Sequence, residues 1–348
     1  MAGDGERNLR IAVLGAGANG GGIGADLARA GVDVTLIEQW PAHVEAIRRD
    51  GLRVVMPDRE TVTRIPVLHL CEVATLREPF DIVFMLMKAY DAGWAARLIE
   101  PHLAHDGLLI GVQNGMTAGT IADVVGVGRT LGCVIEVSSE LEVPGVVMRH
   151  TPAERSWFAL GSLAPGGHPR LAEAAAVLGQ AGTVALVDDI LSAKWMKLVS
   201  NCTTLVSTAA LGLPMMAALD TPGMRDVMVR AGNEALEVGS RDGRTILPIF
   251  GLSDDDIARV DSLVEVLLDA LYRGFVLPST TTTVLHDWRK GRRSEAEQLN
   301  GFVARRGVEL GVATPANDAL VEVARRIERG ELAPQPGNAE LLMALAAR

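Results

Sequence analysis

In the stretch Arg10–Glu38, RIAVLGAGANGGGIGADLARAGVDVTLIE, an apolar run, a glycine-rich turn, a helical segment, a second apolar run and an acid follow one another. Arg10–Leu14 is the β-branched and aliphatic kind of run that fills a buried parallel strand. It feeds straight into Gly15-Ala16-Gly17-Ala18-Asn19-Gly20. Gly15 permits a tight turn, Gly17 lets backbone N–H groups approach a pyrophosphate, and Gly20 lets the next helix pack closely on the strand. The helix is expected from about Gly20 to Arg29, its positive end aimed at the phosphates, with Gly31 as its stop. Val32–Ile37 supplies a second strand. Glu38 then arrives where a carboxylate accepts hydrogen bonds from a ribose 2′-OH. Together these parts describe a dinucleotide-binding unit. The acid favours a diol over a 2′-phosphate, and Gln39, Trp40 and Pro41 bring no immediate arginine, so NAD is expected over NADP. NADP stays possible if Arg48 or Arg49 folds back toward the ribose.

At 348 residues the chain is long enough for two cores. Hydrophobic content of 48% with 22% charged residues is that of a compact globular protein. A net charge of −10 argues against nucleic-acid partners and anionic membrane surfaces. The N-terminal residues lack a signal-peptide core and no run reaches the length of a membrane span, so a cytoplasmic protein is expected. Cys71, Cys133 and Cys202 are odd in number and far apart, and the histidines lack paired spacing, so neither disulfides nor a metal centre is expected.

Strand-like runs alternate with helical segments up to about residue 188, as an α/β sheet requires. The clearest are Asp81–Met87 and Leu108–Val112. Thr130–Val137, Val146–Arg149, Trp157–Leu160 and Thr183–Val187 are read as the rest of the same sheet, partly antiparallel. From about Asp189 the apolar residues recur every three or four positions, which predicts helices. Candidates are a helix starting near Leu191, Asp226–Val238, Ile257–Phe275, Glu295–Leu310 and one opening at Thr314-Pro315, where threonine can cap and proline fits the first turn. Residues from about Ala333 read as a loosely held tail. The long apolar helices suggest a homodimer.

Ligands of open parallel sheets bind beyond the carboxyl ends of the strands, which draws attention to Lys88 after IVFMLM and Asn114 after LLIGVQ. Each also has a plainer reading, as a solvated strand end and a tight turn. On the helix from Leu191, Lys197, Asn201, Thr204 and Thr208 form one polar stripe on an otherwise apolar cylinder. A buried ammonium without partners is costly, so the stripe is expected to face an internal polar cleft rather than solvent. In SEAEQLNG, Ser294 and Glu297 have capping-box spacing, placing Glu295 in the first turn of a helix. Thr283 and Asp287, four apart, share a helix face.

These segments resemble the ketopantoate reductase (2-dehydropantoate 2-reductase) family over nearly the whole chain. The resemblance is carried by GAGANG, KAYD at Lys88–Asp91, QNGM at Gln113–Met116, KWMKLVSN at Lys194–Asn201 and SEAEQLNG. It implies an α/β fold, with an N-terminal Rossmann-type dinucleotide-binding domain (1–188) followed by an all-helical C-terminal domain (189–348) that carries substrate and catalytic groups. It also implies hydride transfer from a nicotinamide cofactor to the carbonyl of a small 2-oxo acid, with Lys197 as general acid and Glu295 as its catalytic partner. Asn114, Asn201 and Thr283 match substrate-binding positions. Gly15, Gly17, Ala18, Asn19, Gly20, Glu38, Lys88 and Asn114 are the cofactor-binding candidates. NADPH-using members carry an arginine shortly after the second strand, where this chain has Glu38-Gln39-Trp40-Pro41. Threonine stands at 283 in place of a serine, and residues 241–278 are longer than the family minimum. Two alternatives share the fold: a reductase of a different carbonyl or an imine, and a non-catalytic NAD(P) sensor.

Overall fold

The structure, a computed structural model, describes residues 9–248, 253, 255, 258, 263–274 and 276–348. The chain divides into two compact units, Met1–Leu191 and Ser192–Arg348.

The described strands are β1 (Arg10–Leu14), β2 (Asp33–Glu38), β3 (Leu52–Val55), β4 (Glu60–Thr63), β5 (Val67–His69), β6 (Phe80–Met85), β7 (Leu103–Gly111), β8 (Thr130–Glu136), β9 (Ser139–Val143), β10 (Val146–Arg149), β11 (Trp157–Ser162) and β12 (Thr183–Leu186). All belong to the first unit. Eight form one sheet in the order β12-β11-β8-β7-β6-β1-β2-β5. From β5 to β8 every neighbouring pair is parallel. Counted along the chain, these strands stand in the 3-2-1-4-5-6 order of dinucleotide-binding sheets. Only β11 runs antiparallel to its neighbour β8, and β12 follows it in parallel. The expected antiparallel portion therefore sits at one edge.

The period-2 geometry of a strand explains why the central runs are apolar at every position. Ile11 and Val13 of β1, with Ile82 and Phe84 of β6, face one core, while Ala12 and Leu14, with Val83 and Met85, face another. Both faces of the sheet are buried, so no polar alternation survives. At roughly 1.5–3 kcal/mol per large apolar side chain, the central strands dominate the stability of this unit.

Val146–Arg149 departs from expectation. It joins a separate four-stranded sheet, order β4-β3-β10-β9, instead of the main one. The hairpin turn Pro144-Gly145 sends it back antiparallel to β9, and it runs parallel to β3. Val147, Leu52 and Val54 then bury themselves in the same core as Ile23 and Leu27 of the helix Ala18–Arg29. The small sheet is thus an apolar cover on the helix that follows the glycine-rich turn.

In the second unit no strand occurs among the described residues, and the helices are Met215–Leu219, Met224–Arg241, Leu263–Gly274, Thr283–Arg289, Asn300–Leu310, Pro315–Glu328 and Asn338–Ala346, together with most of Ile190–Ala210. The first part of the expected helix Ile257–Phe275 falls largely outside the described residues. The core is rich in alanine, including Ala209, Ala210, Ala231, Ala316, Ala319 and Ala324, which lets helix axes approach closely. The C-terminal residues are not a loose tail. Ala339, Leu342 and Ala346 lie on one face of the helix Asn338–Ala346 and are buried, and Asn338 Nδ2 donates to the Ala210 carbonyl at 2.8 Å. No helix among the described residues is long and apolar enough to cross a membrane.

Candidate functional site

The first unit builds a glycine-rich turn at the point where the sheet order reverses, between β1 and β6. Gly15 has φ +92°, and a Cβ there would lie 2.7 Å from the Met87 backbone nitrogen just past β6. Its N–H donates to the Ile37 carbonyl at 2.8 Å, tying the turn to β2 as well. Gly20 is required for a different reason, since a Cβ would come within 2.0 Å of the Gly15 carbonyl oxygen. At Gly17, by contrast, a Cβ would meet nothing within 4 Å. The helix begins at Ala18, two residues earlier than expected, with Gly17 as its N-cap. Its first N–H groups therefore open onto the space beside Gly17, where a phosphate would be stabilised by the helix dipole. Asn19 Oδ1 is buried there without a hydrogen-bond partner. The open space and the helix start together fit the phosphates of a bound dinucleotide.

Glu38 ends β2 and is buried. Its Oε1 accepts from the backbone N–H groups of Gln39 and Trp40, both at 2.9 Å, which fixes the direction of the carboxylate. Neither candidate arginine turns toward it. Arg48 donates to the Val67 carbonyl and pairs with Glu72 and Glu45, and Arg49 pairs with Asp50. Lys88 follows β6 and Asn114 follows β7, both half-buried. Because β1, β6 and β7 are adjacent and parallel, the structure gathers the turn, Lys88 and Asn114 at one edge of the sheet.

Lys197 and Asn201 lie on the helix Ile190–Ala210, one turn apart, Lys197 half-buried and Asn201 only 3% exposed. Thr204 and Thr208 are also buried, so the polar stripe does not face solvent. Their hydroxyls donate to the Ser200 and Thr204 carbonyls at 2.9 and 2.8 Å, which satisfies them within the helix. The same helix anchors the other two candidate segments. Thr282 Oγ1 donates to the Leu205 carbonyl at 3.0 Å, holding the start of Thr283–Arg289, with Thr283 half-buried and Asp287 buried. Asn300 Nδ2 donates to the Cys202 carbonyl at 3.0 Å, holding the end of the Glu295 segment. Burial pushes the Cys202 thiol up, with Glu234 adding to the effect, which keeps this cysteine inert as a nucleophile.

Glu295 is 3% exposed, but it is not in a helical first turn. Residues 295–299 form hydrogen-bonded turns and the helix begins at Asn300. The capping box does not form because its partners are taken elsewhere. Ser294 N–H and Oγ both donate to Glu328 Oε1, at 2.9 and 2.6 Å, and the Glu297 carboxylate binds Arg305 and Arg325. Dipole support for Glu295 is therefore absent. Thr314 likewise stands at the expected N-cap without making a side-chain cap. Glu234, from the helix Met224–Arg241, does that work: its carboxylate accepts from Ala316 N at 2.9 Å and Asn317 N at 3.0 Å. Its position on the apolar face of Val227, Ala231, Ala235 and Val238 was the available signal.

Arg149 was also missed. It is 1% exposed and pairs with Asp26 on the helix Ala18–Arg29. Gly20→Ala is expected to cost about 1–3 kcal/mol of stability and to weaken dinucleotide binding, because the Gly15 carbonyl it displaces is backbone. Urea denaturation alongside a coenzyme titration checks this, and an unchanged affinity would contradict the role given to the turn.

Residues 11–163 match the family model described as Ketopantoate reductase PanE/ApbA, and residues 189–328 match that of its C-terminal domain. A 2-dehydropantoate 2-reductase from Mesorhizobium japonicum is 28% identical, over 92% of this chain and 99% of that protein. The crystal structure of a PanE/ApbA family ketopantoate reductase from Ralstonia eutropha JMP134 superimposes with a TM-score of 0.78 at 29% identity, covering 93% of this chain and 99% of that one. D-mandelate dehydrogenase, in a ternary structure with NADH and anilino(oxo)acetate, has the same fold with a TM-score of 0.81 at 22% identity, over 92% and 99% of the two chains.

Proposed function

The chain belongs to the ketopantoate reductase PanE/ApbA family, and from that premise we propose that it reduces a small 2-oxo acid of the ketopantoate type, with NADH as coenzyme and Lys197 as proton donor. The observation that carries the reading is the glycine-rich turn at the strand-order reversal, with a helix starting at Ala18 and open space beside Gly17. Gly15, Gly17, Ala18, Asn19 and Gly20 would hold the pyrophosphate and Glu38 the ribose diol, with Lys88 and Asn114 nearer the reacting end. A bound nicotinamide supplies the hydride. Lys197 donates a proton to the oxygen that becomes the alkoxide, Glu295 orients the ammonium, and Asn114, Asn201 and Thr283 hydrogen-bond the substrate. Spacing of four on one helix places Lys197 and Asn201 with Cβ atoms about 5–6 Å apart, which suits two contacts to one small molecule.

The preference for NADH is supported by the fixed Glu38 carboxylate and by the pairing of Arg48 and Arg49 with other acids. A 2′-phosphate would meet a like charge while Arg48 and Arg49 are engaged by Glu45, Glu72 and Asp50. Catalytic efficiency kcat/KM is expected to be at least about tenfold higher with NADH, a difference of roughly 1.4 kcal/mol. Loss of coenzyme absorbance, followed with NADH and NADPH over a panel of 2-oxo acids with and without branched or hydroxylated carbons, tests both points. Equal or better rates with NADPH would remove the NADH assignment. Tight coenzyme binding with turnover on none of the panel would favour the sensor reading over the reductase.

A further inference from the structure

We infer that His43 is a positioning residue for the dinucleotide turn, holding the Ala16 carbonyl so that the N–H of Gly17 is aimed for coenzyme. This rests on the reading that the turn binds a dinucleotide. His43 lies on the helix Pro41–Asp50, is 0% exposed and stacks on Trp40 at 5.9 Å between ring centres. The Gly145 backbone N–H donates to its Nδ1 at 2.8 Å. A backbone amide can only donate, so Nδ1 carries no proton and Nε2 carries one. Nε2 then donates to the Ala16 carbonyl at 3.1 Å. Burial lowers the pKa of the ring and keeps it in this neutral form.

Gly145 is itself fixed. Its carbonyl accepts from Arg53 N–H at 2.9 Å, and a Cβ on it would lie 2.9 Å from the Ala46 Cβ. The imidazole is therefore a strut between the tip of the small sheet and the turn. The peptide joining Ala16 and Gly17 is trans, so its carbonyl and N–H point in opposite directions. Drawing the carbonyl toward His43 directs the Gly17 N–H the other way and removes the freedom of that peptide plane to rotate. A donor held in place before the ligand arrives binds an anion more tightly than one that must be ordered on binding.

The two bonds can be separated by substitution. In His43→Asn, the side-chain oxygen can still accept from Gly145 but nothing reaches Ala16. In His43→Gln, the longer amide can donate to the Ala16 carbonyl. The Kd for NADH, measured by titration of the full chain, is expected to rise about tenfold in His43→Asn and to stay within about threefold in His43→Gln. The kcat at saturating NADH should change less than about twofold in either variant. A purely structural role would lower the melting temperature of both variants and leave the two affinities alike, which would overturn the inference. If His43→Asn does not fold, nitrogen NMR of the unmodified chain decides: a protonated Nε2 and bare Nδ1 support the strut, and the reverse tautomer overturns it. Should the unmodified chain bind neither NADH nor NADPH, the coenzyme reading falls and this inference with it, whereas equal Kd values for the unmodified chain and His43→Asn remove the inference alone.

Discussion

Lys197→Ala is expected to lower kcat by about 10²- to 10⁴-fold, the usual worth of a positioned general acid, with the Kd for NADH unchanged. Lys197 belongs to the second unit, on the helix Ile190–Ala210, whereas the glycine-rich turn and Glu38 belong to the first. The two functions are therefore separable by mutation. Half-buried, and one turn from the almost fully buried Asn201, Lys197 stands on a helix whose Thr203, Thr204, Ser207 and Thr208 hydroxyls donate to its own backbone. Removing the side chain leaves those bonds intact, so the fold should survive. Lys197→Arg keeps the charge but spreads it over a planar, nearly non-titrating group that donates protons poorly, and should recover little of the rate. Stopped-flow hydride transfer and equilibrium NADH titration measure the two quantities. Near-normal turnover in the alanine variant would remove Lys197 from the proton-donor role, and a parallel loss of NADH affinity would assign it to binding.

Arg149→Met should destabilise the first unit by about 3–5 kcal/mol, the cost of leaving one partner of a buried ion pair uncompensated. All five N–H donors of the guanidinium are used. Nε donates to the Thr151 carbonyl at 2.8 Å, Nη1 to the Gly22 carbonyl at 3.2 Å and to Asp26, and Nη2 to Ser156 Oγ at 2.9 Å and the Ala181 carbonyl at 3.2 Å. These partners come from the dinucleotide helix, the loop after β10 and the approach to β12, so one side chain pins three segments. The Asp26 carboxylate retains Arg29 when Arg149 is removed, but Arg29 is only partly buried. The double variant Asp26→Leu, Arg149→Met should be less destabilised than the sum of the single ones, because no charge is left buried alone. Urea denaturation of the single and double variants measures the coupling. A loss below about 1 kcal/mol for Arg149→Met would show that water replaces the lost partners.

Most of the dinucleotide-binding architecture was legible in the sequence because its signals are local. A continuous apolar run means a strand covered on both faces, and Gly15 and Gly20 just after it mean close backbone approaches. Both statements concern residues that are neighbours in the chain. The polar stripe from Lys197 to Thr208 was legible for the same reason, since helical spacing alone puts it on one face. The short strands β3, β4 and β9 carried weaker signals, although Pro144-Gly145 between two β-favouring runs marks a hairpin.

Local chemistry misled where a distant partner outbid it. Ser294 and Glu297 have the spacing of a capping box, but Glu328, Arg305 and Arg325 hold them, and the turn at Glu295 replaces the expected helix start. Thr314 stands where a cap belongs, yet Glu234, 82 residues before Ala316, supplies the acceptor to the Ala316 N–H. Val146–Arg149 has the composition of any buried strand, and the partners that fix it in the small sheet include Leu52–Val55, some ninety residues earlier, and Asp26, 123 residues away from Arg149.

The sequence by itself determined the unit order, five of the six strands of the parallel centre, the glycine-rich turn and its acid, and the helical second half, whereas the edge strand Val67–His69 came only from the structure. Tertiary structure alone decided which sheet receives Val146–Arg149, which carboxylate caps the helix after Thr314, and that His43 sits between Gly145 and Ala16. The physical reason is that periodicity and backbone geometry are properties of adjacent residues, whereas a buried polar group is stabilised only by the partner that folding brings to it.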